Sequence, residues 1–258
     1  MSNTKSAVFA TEREALEEQI VSQLKSANPE LVEGEILALI VPKTNLLSAA
    51  PVAAELYKLL EGRQYDTVIL IAPSQTGAFR RMNICSVNTY STPMGDVPIN
   101  DRVRDELCDE DDDIFIDDSG HYHTEGVDVQ LPYLQKVLQG FDIVPIVMGD
   151  ESPEFCRELA NAVSEVMYNR RTLIVAMADV AEGTEDALAE LKNDVELLDD
   201  SRLMSLLNSE KVRLAGKGPV IATMCAAKLR RARFARVTQI RKPEGDQPGS
   251  IGAVIWRN

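Results

Sequence analysis

Two strand-to-loop junctions near the front of the chain set the strongest limit on its fold. Ile36-Leu37-Ala38-Leu39-Ile40-Val41 is an unbroken apolar run stopped by Pro42, and Thr67-Val68-Ile69-Leu70-Ile71-Ala72 is a second, stopped by Pro73. A short apolar, β-branched-rich run closed by proline reads as a buried strand that ends in a loop. The first junction passes through Lys43-Thr44-Asn45 into Ala49 to Tyr57, a helix-like segment; the second passes into Ser74-Gln75. In an open α/β sheet, ligands bind in the loops beyond the carboxyl ends of strands. Lys43 and Gln75 therefore stand where chemistry is expected.

The same alternation continues along the chain. Helices are predicted over about 12–26 (Thr11 as N-cap; Ala15, Leu16, Ile20 and Leu24 as its apolar face), 48–61, 100–108, 126–137, 153–168, 184–192, 199–208 and 217–231. Strands are predicted over 36–41, 67–72, 82–87, 142–147, 172–178, 236–241 and 251–256. Strands alternating with helices imply an α/β fold: one domain spanning 1–258, with a largely parallel sheet flanked by helices on both faces.

Charge narrows the function. With 27 basic and 41 acidic residues the net charge is −14, which disfavours nucleic acid and anionic membranes as partners. It suits binding of a small molecule, a cation or a basic partner. Cys85, Cys108, Cys156 and Cys225 are scattered without a CxxC pair, no secretory leader precedes Ala7, and no apolar run reaches the ~20 residues that span a bilayer. A reducing, cytoplasmic setting is the expectation.

The order of several motifs resembles the Memo family, also known as AmmeMemoRadiSam system protein B, which shares its fold with class III extradiol dioxygenases. Pro42 to Tyr57 is similar to the family's Pro-His-Ala-Gly segment and following helix. Ala72-Pro73-Ser74-Gln75 is similar to its Gly-Pro-Ser-His, and Thr92-Pro93-Met94-Gly95 to its Thr-Pro-Leu-Gly turn. Val127-Asp128-Val129-Gln130-Leu131-Pro132-Tyr133-Leu134 is close to its Leu-Glu-Val-Gln-Leu-Pro-Phe-Leu. Ile143 to Gly149 and Val175 to Val180 also fit, and Thr223-Met224-Cys225 falls where the family has Cys-Gly.

The resemblance implies a cavity ligated by two histidines and a cysteine, with further histidines around it. In this chain those histidine positions correspond to Lys43, Gln75, Glu125 and Glu182; Asp179 and Cys225 persist, and the amino-terminal Ala-Gly-x-Phe-Tyr-Pro signature is unrecognisable in Ala7 to Thr11. A ligand must offer a lone pair. Imidazole does so near neutral pH, whereas lysine must first lose a proton, and a glutamine carbonyl is a weak ligand for iron, copper or zinc. The expectation is a degenerate metal site, a pseudoenzyme with no favoured cofactor. Lys43, Gln75, Glu125, Asp179, Glu182 and Cys225 would line a site for a small polar or anionic ligand. The family's company also implies a protein partner from a radical enzyme system.

Alternatives stay open. Lys43 serves as an anion-binding cation, as a nucleophile, or simply as an ion-pair partner of Asp179, Glu125 or Glu182. His121-Tyr122-His123-Thr124-Glu125 holds the chain's two histidines, and with Cys225 it offers an alternative set for Fe(II) or copper and oxygen-dependent redox chemistry. Cys225 would act from a helix N-terminus, where thiolates are stabilised, or as a small core residue. Asp109 to Asp113 reads as a solvated acidic loop rather than an EF-hand. Lys228, Arg230, Arg231, Arg233 and Arg236 read as cations late in a helix, complementing its dipole, with a docking or phosphate patch as the alternative that the net charge of −14 disfavours.

Overall fold

A computed structural model describes residues 12–44, 49–75, 79, 81–108, 113–121 and 125–258, with the side chain of Glu125 outside that set. Helices are α1 (Arg13–Ser26), α2 (Ala50–Lys58), α3 (Asp101–Leu107), α4 (Glu125–Val137), α5 (Pro153–Val166), α6 (Glu185–Glu196), α7 (Asp200–Asn208) and α8 (Lys217–Leu229). Strands are β1 (Glu35–Val41), β2 (Thr67–Pro73), β3 (Met82–Ile84), β4 (Thr89–Thr92), β5 (Gly95–Pro98) and β6 (Ile114–Ile116). The remaining strands are β7 (Asp142–Met148), β8 (Thr172–Met177), β9 (Asp179–Gly183), β10 (Val212–Ala215), β11 (Phe234–Arg241) and β12 (Gly249–Arg257).

The main sheet runs β10-β9-β12-β1-β8-β2-β7-β3-β6, with β11 paired to β12. Its centre, β1-β8-β2-β7, is parallel. The flanks add antiparallel pairs. Every residue of β2 and β8 is buried, because helices cover both faces. Alternation along β2 divides the core: Ile69 and Ile71 pack with residues of α5 to α8, and Val68, Leu70 and Ala72 with residues of α1, α2 and α4.

Departures from expectation have local causes. Thr11 lies outside the described residues, and α1 buries Leu16, Ile20 and Leu24 while Ala15 stays exposed. Strand β3 ends at Ile84 rather than Val87: the buried Arg104 guanidinium takes the carbonyls of Cys85, Ser86 and Val87, at 3.5, 3.4 and 3.1 Å. Thr92 to Gly95 closes the β4–β5 hairpin, where the Thr92 hydroxyl donates to Gly95 O at 2.8 Å and Gly95 adopts φ 119°. Both α6 and α7 open on side-chain caps, Thr184 accepting from Ala187 N–H and Asp199 from Arg202 N–H.

Gln130 is fully buried in α4. Its amide nitrogen donates to Pro42 O at 3.0 Å and to Gly126 O at 3.3 Å, while its oxygen accepts from the Tyr57 hydroxyl at 2.8 Å. Tyr57 stacks on Tyr133 at 5.0 Å. One side chain thus ties α4 to α2 and to the loop leaving β1. Gln130→Leu strands the Pro42 carbonyl and the Tyr57 hydroxyl in the core and is expected to cost about 2–4 kcal/mol, measured by urea unfolding. Tyr57→Phe in the same background should cost less than in the wild type, because the hydroxyl has already lost its acceptor.

Candidate functional site

The four central strands stop at one level. Val41 pairs with Met177, Ile71 with Ala176, and Pro73 with Met148. The chain beyond them brings Lys43, Asp179, Gln75 and the segment Gly149 to Glu151 to the carboxyl end of the sheet, where open α/β sheets hold ligands.

Two helices close over that end because glycines let them. A Cβ on Gly126, in the first turn of α4, would lie 2.9 Å from Met177 Sδ and 3.3 Å from Ala72 Cβ, with Lys43 Cγ 3.7 Å away. Gly216, just before α8, has φ 108°, and a Cβ there would collide with the Met177 carbonyl. Lys43, Asp179, the start of α4 and the start of α8 therefore meet. Glu151 reaches the same helix start: its carboxylate accepts from Gly218 N–H at 2.6 Å. Burial raises the Glu151 pKa and that hydrogen bond opposes the rise.

Asp179 is the buried charge of the site, 1% exposed. Its Oδ1 accepts from Lys43 N–H at 3.0 Å, and its Oδ2 is buried without a hydrogen-bond partner among the described residues. Burial pushes its pKa up to about 6, against the attraction of the Lys43 ammonium and hydrogen bonds from Lys43 and Thr44. Across the neighbouring strands Asp179 faces Ala215 of β10 and Ser250 of β12. The Ser250 hydroxyl is also buried without a partner.

Of the other anticipated residues, Glu182 and Cys225 lie apart from this group. Gln75 is exposed beyond the end of β2. Glu182 sits on the surface, ion-paired with Arg213 across the β9–β10 ribbon at 3.1 Å. Cys225 is well inside α8 rather than at its N-terminus. It packs by Asp200 and Lys228, and burial first, then Asp200, pushes its pKa up to about 11. His121 contacts Asn83 O through Nε2 at 3.0 Å beside β3, and burial lowers its pKa. His123, the Glu125 side chain and residues 109–112 lie outside the described residues. Among the described residues, no three His, Cys, Asp or Glu side chains converge as a metal set, and no ion pair joins Lys43 to a carboxylate.

Sequence reasoning missed Glu151 and the Ala215-Gly216-Lys217-Gly218 junction. The signal was present: Val212-Arg213-Leu214 alternates as a strand, and two glycines follow before an apolar helix.

A family model described as "Memo-like protein" matches residues 6–254. The chain belongs to the Memo family. A MEMO1 family protein of Saccharolobus islandicus is 30% identical over 233 residues, 85% of this chain and 80% of the relative. One from Thermoplasma acidophilum is 27% identical over 231 residues, 87% and 84% of the two chains. The crystal structure of an uncharacterized Escherichia coli K12 protein superposes with TM-score 0.58 at 13% identity, covering 86% of this chain and all of that one. At that identity the likeness concerns the fold. No helix among the described residues of this Memo-family chain is long and apolar enough to cross a membrane, and its four cysteines are unpaired.

The Asp179 carboxyl sets a pH dependence. Its folded pKa, about 6, lies above the ordinary 3.8, so the folded chain holds a proton that the unfolded chain releases. Stability should therefore fall as pH rises from about 4 to 6 and then level off, by at most about 3 kcal/mol from this group. Comparing unfolding free energies of wild type and Asp179→Asn across this range should show that fall in the wild type only.

Proposed function

We propose that this Memo-family chain works as a binding module, holding a small polar or anionic ligand or a protein partner at the carboxyl end of the sheet without a transition metal. The observation that carries the reading is the identity of the side chains around Asp179. Beside it stand Lys43, just past the end of β1, and Ala215 of β10, which pairs with Asp179. A protonated amine and a methyl group supply no lone pair. In this reading Cys225 is a core thiol of α8.

The donor set therefore does not fit iron or copper. It does suit a polar ligand. The Lys43 ammonium offers donors to an anionic group, and the unpartnered Asp179 Oδ2 and Ser250 hydroxyl offer hydrogen bonds to a small polar one. Surrounding apolar strand ends exclude water and strengthen both contacts.

Metal content decides between this reading and a metal-dependent oxidoreductase. Purified anaerobically and loaded separately with Fe(II), Cu(I) and Zn(II), the chain is expected to retain no stoichiometric metal after desalting, and Cys225→Ala should behave the same. Near-stoichiometric metal that is lost in Cys225→Ala would overturn the proposal.

A further inference from the structure

At the end of the sheet opposite Lys43, the start of β1, the end of β12, the start of β11 and the end of α8 come together. Helix α8 does not run on through the arginine-rich segment. It stops at Leu229 in a left-handed turn: Arg231 has φ 65°, Ala232 N–H donates to Ala227 O, and Arg231 N–H to Lys228 O, both at 2.8 Å. Only Lys228 of the five cations lies in the last helical turn. The dipole explanation therefore fails for Arg231, Arg233 and Arg236.

Beyond the turn the chain runs into a pair of aromatic rings, and two of its guanidiniums lie by rings. Arg233 N–H donates to Trp256 O at 3.1 Å, and Phe234 opposes Trp256 in register with ring centroids 5.5 Å apart. The Arg236 guanidinium lies 5.9 Å from the Trp256 ring centre and pairs with Glu30 at 3.1 Å. The Arg230 guanidinium lies 5.3 Å from the ring centre of Tyr168. Tyr168 is 67% exposed, Leu229 54% and Phe234 41%. Arg231 and Arg233 are exposed and form no ion pair among the described residues.

Exposed rings interleaved with arginines are the side chains that dominate protein interfaces. Free guanidinium planes match carboxylates in a two-point fork. We propose that this face docks an acidic segment of a partner protein that also presents an aromatic or aliphatic side chain to Phe234 and Trp256. Charge complementarity selects that occupant. An extended polyanion would have to approach through the field of a chain whose net charge is −14, whereas a short acidic peptide meets only the local cations.

The test is fluorescence anisotropy on the full chain with a labelled peptide of sequence Glu-Asp-Trp-Glu-Leu-Glu-Asp. Saturable, salt-sensitive binding is expected, weakened about tenfold or more by combining Arg231→Gly with Arg233→Ser. Arg231→Gly removes a guanidinium at a left-handed position that glycine adopts freely, so thermal unfolding should show a folded, equally stable variant. Absence of saturable binding would overturn the proposal, as would unchanged binding in the folded variant. Tighter binding of a single-stranded oligonucleotide or of phosphatidylserine vesicles than of the peptide would overturn it too. So would sedimentation showing self-association that the variant abolishes, since the occupant would then be a second copy.

Discussion

The candidate site is organised around one desolvated carboxylate. Asp179 leaves the end of β8 where water is excluded, and its oxygen is held by the backbone of Lys43, just past the end of β1. The adjacent ladder bond, Ala178 N–H to Val41 O at 3.0 Å, fixes the same two strand ends. A carboxylate this buried stays ionised only with a cation close by, and Lys43 is the cation that lowers its pKa most. The glycines at 126 and 216 let α4 and α8 close over the pair, and Gln130 pins the loop that carries Lys43. Removing any of these contacts loosens the geometry on which the proposed ligand site rests.

The central strands were legible because β1, β2, β7 and β8 are apolar without interruption, and burial on both faces demands that. Helices α6 and α7 were legible from periodic apolar positions, though α6 runs on to Glu196. Ribbon β9–β10 was not, because Asp179 to Gly183 and Val212 to Ala215 are short and carry Glu182 and Arg213. The helix read over 217–231 is α8, but Cys225 stands well inside it rather than at its N-terminus, because the helix opens at Gly216. The arginine segment hid its turn because Arg231, a non-glycine residue, takes the left-handed conformation.

The two ends of the sheet have opposite character. The carboxyl end carries Asp179 and Glu151 deep between helix starts, with Lys43 as counter-charge, and suits a small occupant. The amino end is aromatic and cationic, and suits a macromolecular surface. Strand β1 connects them: Glu35 pairs with Arg257 at 2.7 Å at one end, and Lys43 meets Asp179 at the other. The proposed ligand site and the proposed docking face thus lie at opposite ends of one strand.

The central claim is that Lys43 acts as the counter-charge of a buried Asp179. Carbon-13 NMR titration of the Asp179 carboxyl, in wild type and in Lys43→Met, tests it most directly. A wild-type pKa near 6, moving higher in Lys43→Met, is the predicted result. A wild-type value below 4, or one that Lys43→Met leaves unchanged, would contradict the account.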